Sequence, residues 1–222
     1  MRRIARVNLR ALAFNIRRQL ESEPGAVLDA RANAYGHGLL EVSTTALAEG
    51  FTKVLVSPGE AVPDGVPASA ITRDTNDTSL VVAQPYGFNG TGVAVMTLCG
   101  EVIAVKPAPA GAGVSYGYTY RTSSATLLAL VALGYADGIP WLASNRAQVF
   151  IGGEVRNIVG RVAMDQFVVD CGDYRPSIGD EVVVFGSPDD GYPTVDDWAN
   201  HTRRSSSQIT AGIGSRVMRV YS

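Results

Sequence analysis

The stretch AVLDARANAYGHGLLEVSTTALAEG, residues 26–50, decides how the first part of the chain is read. AVLDA is a short apolar run suited to a strand, NAYGHG is a polar, glycine-rich turn, and LLEVSTTALAEG has the texture of a helix. Together they describe a strand, loop, helix unit. Toward the N-terminus, Leu9, Leu12, Ile16 and Leu20 recur at three- and four-residue steps around Arg17 and Arg18. That is the pattern of an amphipathic helix, and Pro24 and Gly25 end it. On the other side TKVLVSP, residues 52–58, reads as a second strand, but the two prolines of GEAVPDGVPASAI leave little room for a full helix after it.

The alternation of strand and helix stops there. From Thr72 to Asn89 the chain is rich in Thr, Asp, Asn, Pro and Gly, with Leu80 to Ala83 its only apolar run, and it reads as a linker with one short strand. From about Val93 strand-sized apolar runs alternate with glycine turns: VAVMTL, EVIAVKP, ATLLALVALGY, AQVFIGG, EVRNIVGRVAM, FVVDCG and DEVVVFG. This spacing describes an all-β domain. The expected fold class is therefore α/β plus all-β, with one domain over residues 1–91 and a second over 92–222. The stretch from Val195 onward predicts a short helix, a serine-rich turn and a closing strand, and no internal repeat is present.

Composition narrows the classes of function. The chain has 222 residues, 46% of them hydrophobic, and a net charge of -2, enough for one large or two small domains with ordinary cores. Its seventeen Arg and two Lys are spread along the chain, so no basic block is available to a phosphate backbone and nucleic acid is not an expected partner. The basic start lacks the continuous apolar core of a signal peptide, and no segment is long enough to span a bilayer. A cytoplasmic protein without a membrane partner is expected. Cys99 and Cys171 match no metal spacing, and neither a metal site nor a disulfide scaffold is expected.

Four motifs carry candidate chemistry. NAYGHG lies between a predicted strand and a predicted helix, where backbone amides and the Tyr35 hydroxyl suit a phosphate, although Gly36 and Gly38 equally suit a plain turn. In VSYGYTYR an extended chain would put Tyr116, Tyr118 and Tyr120 on one face. Such a stripe is either a packed sheet surface or the place of a phenol that exchanges a proton with substrate. GYADG (134–138) and GRVAMDQ (160–166) carry polar residues within apolar runs; Asp165, if buried, needs a partner, and Arg161 is the candidate.

Taken in order, VNLRALAFNIRRQ, ANAYGHG, MTLCGEVIAVKPAPAGAGVSYGYTYRT, LGYADG, IVGRVAMDQ, IGDEVVVFG and RVMRVY resemble the alanine racemase family over residues 1 to about 62 and 92–222. The resemblance implies an N-terminal (β/α)8 barrel that holds pyridoxal phosphate (PLP) and a C-terminal β domain. It further implies a homodimer acting on alanine, interconverting its L and D forms with one base on each side of the substrate. By the family's motifs Tyr116 is one catalytic base, Tyr35 contacts the cofactor phosphate, and the Met164 backbone touches the substrate carboxylate.

Two departures accompany these matches. Arg31 stands where the family has its PLP-binding lysine, and the only lysines, Lys53 and Lys106, lie in other predicted strands. A guanidinium stays protonated, so it neither condenses with an aldehyde nor acts as a base. Covalent cofactor attachment is accordingly in doubt. A (β/α)8 barrel also takes about 250 residues, whereas about 90 precede the β domain, so the N-terminal part is expected to be a truncated barrel. Its open edges require a cover, either the β domain or a second chain. Three functions follow: a degenerate racemase homologue with weak or no activity, a PLP isomerase using Lys53, or a non-catalytic dimerisation or ligand-binding module.

Overall fold

The computed structural model describes residues 1–74 and 81–222. Leu80, at the start of the short strand expected in the linker, lies outside the described residues. The chain opens with β1 (Arg3–Val7), α1 (Leu9–Ser22), β2 (Val27–Asp29), a five-residue helical turn α2 (Arg31–Tyr35), α3 (Leu39–Ala48), β3 (Val54–Leu55), β4 (Ile71–Thr72) and β5 (Val82–Ala83). Asn8 caps α1, its side-chain oxygen accepting from the Ala11 amide, and Ala11, Leu12, Asn15 and Ile16 form the face that α1 buries. Strands β2 to β5 are all parallel, in the order β4-β3-β2-β5.

The second part contains β6 (Met96–Ala108), β7 (Gly113–Val114), β8 (Tyr120–Arg121), β9 (Thr126–Val131), β10 (Gln148–Ile151), β11 (Glu154–Val159), β12 (Phe167–Asp170) and β13 (Glu181–Phe185). Two short helices, α4 (Val195–Thr202) and α5 (Ser206–Ala211), and β14 (Met218–Tyr221) complete it. The run β13-β10-β11-β12-β9-β6 closes on itself through a β13–β6 pairing, which makes a six-stranded barrel. Its interior follows the two-residue alternation of strands: Val149 and Ile151, Phe167 and Val169, Ala129 and Val131, and Val182 and Val184 are all buried. VAVMTL and EVIAVKP, expected as two strands, are one: β6 is 13 residues long and changes partner along its length, pairing with β1 and β13 first and with β9 later.

Strand β1, not anticipated from sequence, joins the barrel sheet rather than the parallel one. It runs antiparallel to β6 and parallel to β14, so the first residues of the chain and the last form one edge of the large sheet. The serine-rich segment is likewise not a turn: Ser205 caps α5, its hydroxyl accepting from the Gln208 amide.

The NAYGHG loop is clamped between the two parts. Residues 32–35 have φ of 51–56°, a left-handed turn that costs roughly 1–2 kcal/mol per residue unless surroundings enforce it. Here the Ala32 amide donates to Ser57 Oγ, the Asn33 amide to Glu60 Oε1 at 2.6 Å, and Asn33 Oδ1 accepts from the Leu39 amide. Gly36 and Gly38 follow at positive φ, and a Cβ there would lie 2.1 Å from the Thr210 carbonyl oxygen and 2.0 Å from the Tyr221 hydroxyl. Arg219 on β14 completes the clamp, donating to the carbonyls of Gly36, Ile213, Gly214 and Val217. Its guanidinium has no carboxylate partner among these contacts. Arg219→Met would leave four carbonyls without that donor, and a loss of about 2–4 kcal/mol is expected in urea unfolding.

His37 is fully buried against Tyr86, ring centroids 4.7 Å apart. Its Nδ1 lies 3.0 Å from the Ala34 carbonyl, while Nε2 has no partner among the described residues. Burial lowers its pKa from 6.5 to about 4. The unfolded chain therefore binds a proton between pH 6.5 and about 4 that the folded chain refuses, so stability falls as pH drops through that window. The loss expected is about 3 kcal/mol, measured by urea unfolding at several pH values. His37→Gln should flatten that slope relative to the wild type.

Candidate functional site

Strand β2 ends on Asp29, whose carboxylate is wholly buried at the mouth of the parallel sheet. Arg31, two residues on, folds back onto it in a bidentate pair, Nε to Oδ1 at 2.8 Å and Nη2 to Oδ2 at 2.7 Å. The Tyr35 hydroxyl donates to the same Oδ2 at 2.6 Å, and Gln84 Nε2 reaches both that oxygen and the Tyr35 hydroxyl. The Tyr86 hydroxyl donates to the Asp29 backbone carbonyl at 2.7 Å. Burial alone would raise the Asp29 pKa, but the donors Arg31, Tyr35 and Gln84 outweigh it and hold the carboxyl below its ordinary range. The same pairing raises Arg31, and burial with the adjacent carboxylate pushes Tyr35 up to about 12. Arg31, Tyr35, Gln84 and Tyr86 thus all donate to Asp29.

Tyr116 and Met164 meet elsewhere, around an open pocket of about 570 Å³ that Tyr135, Trp141, Arg161 and Gln166 also line. Tyr116 sits in a short turn between β7 and β8, and its side chain is 75% exposed. The expected stripe of three tyrosines does not form. Ser115, Gly117 and Tyr118 all have positive φ, which breaks the extended chain; Tyr118 is exposed and the Tyr120 hydroxyl donates to Asp170 instead.

The 160–166 loop is held by backbone contacts from the GYADG turn, the Tyr135 amide to the Ala163 carbonyl and the Ala136 amide to the Met164 carbonyl. Asp137, buried beneath that turn, accepts from the Gly134 amide and lies 3.4 Å from Arg3 and 3.2 Å from Arg216. Asp165 is about half exposed and pairs with Arg216 at 2.5 Å, so the expected pairing with Arg161 is replaced. The cause is topological, since β14 brings Arg216 beside the loop. Arg161 lines the pocket and has no carboxylate partner among the described residues.

Of the sequence candidates, the structure thus brings Arg31 to Tyr35 and Tyr116 to Met164, in two separate places. Asp29 and Gln84 were not anticipated. Asp29 did carry a signal, as an acid within an apolar strand two residues before Arg31, on the same side of an extended chain. Gln84 carried none, because its position depends on β5 pairing beside β2. Trp141, too, reaches the pocket only through tertiary packing.

The residues around position 31 do not fit PLP. Attachment needs a primary amine, and Arg31 offers a guanidinium already committed to Asp29. Phosphate binding at Tyr35 needs its hydroxyl proton, which is given to a buried carboxylate. That carboxylate would also repel the phosphate. Lys53, just before β3, donates to the Ser69 carbonyl at 2.7 Å.

Comparison with known proteins bears on both halves. Residues 95–221, more than half the chain, match the family model "Alanine racemase, C-terminal domain". An alanine racemase from Streptomyces coelicolor is 52% identical over 127 residues, 57% of this chain and 32% of that protein, so the chain spans about a third of the length of the curated relatives it matches. The solved alanine racemase of Streptomyces coelicolor A3(2) superposes with a TM-score of 0.84 at 26% identity, covering 99% of this chain and 98% of the other. An alanine racemase from Bartonella henselae, described with covalently bound pyridoxal phosphate, superposes at 0.82 with 18% identity, covering all of both chains, which speaks to fold alone. The superpositions run end to end, whereas the sequence match is confined to the barrel half. On the strength of that half, its six-stranded barrel and the match over residues 95–221, the chain belongs to the alanine racemase family.

Proposed function

We propose that this chain is an alanine racemase-like protein that keeps the β domain and its Tyr116 surface but does not attach PLP or interconvert L- and D-alanine on its own. The observation that carries this reading is the bidentate Arg31–Asp29 pair at the end of β2, capped by Tyr35. A two-base racemisation needs a neutral amine on one side and a phenol on the other. Only the phenol is present, at Tyr116.

The parallel strands fit an arc of a truncated (β/α) barrel. In the order β4-β3-β2-β5 the last strand lies beside the first, as it does where a barrel closes, and the strands that would complete the circle are missing. An end-to-end superposition with a sequence match over a third of the relative agrees with a chain shortened in its middle. A cytoplasmic homodimer is the setting expected for such a protein. The exposed side chains of Tyr116, Tyr118, Tyr135, Trp141 and Met164 give such a partner an aromatic surface to cover.

A second reading, a non-catalytic ligand-binding module, is favoured by one observation, an Arg161 guanidinium with no carboxylate partner among the described residues, in the aromatic-walled pocket beside Tyr116. Two assays on the purified chain separate these readings from an active enzyme. Borohydride trapping with PLP should fix no more cofactor than exposed amines such as Lys53 and Lys106 take up, and incubation of L-alanine with PLP should give no D-alanine above the protein-free rate. D-alanine accumulating in proportion to protein, and lost in Tyr116→Phe, would refute the proposal.

A further inference from the structure

We infer that Asp29 is a second and independent obstacle to cofactor attachment at position 31, so that restoring lysine there is not enough to give a reactive amine. This rests on the reading that position 31 corresponds to the family's lysine position. Both Asp29 oxygens lie out of reach of solvent, and the carboxylate accepts five hydrogen bonds, three of them from Arg31: Nε and its own backbone amide to Oδ1, Nη2 to Oδ2. The other two, from Tyr35 and Gln84, both go to Oδ2. Removing the guanidinium therefore strips Oδ1 of its only side-chain donor. A buried carboxylate left in low dielectric without its counter-charge is strongly destabilised unless another cation replaces the one lost.

A lysine at position 31 would meet that demand in the one way available to it. Its ammonium has the reach to fold back onto a residue two positions away, as Arg31 does, and the carboxylate favours the protonated form. Imine formation needs the opposite form: the neutral nitrogen donates its lone pair to the aldehyde carbon, water leaves, and a C=N bond remains. The remaining groups facing the carboxylate, the Tyr35 and Tyr86 hydroxyls and the Gln84 amide, supply no competing positive charge. Asp29 thus holds whichever base occupies position 31, and the two residues act as a matched pair.

The test uses the full chain and PLP with borohydride, which delivers hydride to any C=N bond and fixes it as a secondary amine that peptide mass spectrometry can locate. Lys106, exposed on β6, and Lys53 are internal references in the same sample. In Arg31→Lys, modification at position 31 should trail that of Lys106, and the pH at which it sets in should lie above that of Lys106. In Asp29→Asn/Arg31→Lys it should rise about tenfold or more at fixed pH, the effect of one unit in amine pKa, with the onset shifted to lower pH. Circular dichroism and the unchanged reactivity of Lys53 and Lys106 show that the variants are folded. Equal modification of position 31 in the single and double variants, or an adduct in neither, would overturn the inference. The racemase reading fails on a different result, D-alanine production by the unaltered chain.

Discussion

A buried carboxylate must be neutralised, and the Asp29 carboxylate at the end of β2 organises everything around it. Arg31 supplies the charge, Tyr35 and Gln84 supply the remaining donors, and Tyr86 ties down the backbone on the far side. The left-handed turn over residues 32–35 returns Tyr35 to the carboxylate within six residues of it. The strand, the turn and the loop after β5 are thereby joined at one point. Under the proposed correspondence with the family's motifs, Arg31 and Tyr35, both consumed in this closure, are the residues that would meet a cofactor aldehyde and phosphate.

The same loop is gripped from behind by the other half of the molecule. Gly36 and Gly38 admit Thr210 and Tyr221 at distances that no side chain would permit, and Arg219 satisfies carbonyls on both sides of the seam. Strand β1 pairs with β6 and β14, so the start of the chain is part of the barrel sheet. The partial parallel sheet is consequently not left to stand alone on strands of two or three residues, which would be marginal in water.

Much of the fold was legible from the pattern of residues, and the failures have identifiable causes. Alternation and glycine spacing showed the barrel strands because one face of each is buried, as with Val149 and Ile151 or Phe167 and Val169. Periodicity showed α1 for the same reason. The tyrosine stripe failed because alternation holds only for extended backbone, and Gly117 marked the break. The left-handed turn at Ala32, Asn33 and Ala34 was hidden because its stabilising partners, Ser57 and Glu60, lie some 25 residues away. The family motifs located positions 31, 35, 116 and 164, but could not show that they fall into two groups, nor that Asp29 answers Arg31.

The central claim is that an ionised Asp29, bound by Arg31 and Tyr35, occupies the place of cofactor chemistry. It is tested most directly by carbon-13 NMR of the Asp29 carboxyl, titrated with acid and then with PLP at neutral pH. The account predicts that the Asp29 signal titrates below the ordinary aspartate pKa of 3.8 and is unmoved by PLP. A carboxyl that titrates at or above that value, or a signal that shifts saturably with PLP while the chain stays folded, would contradict it.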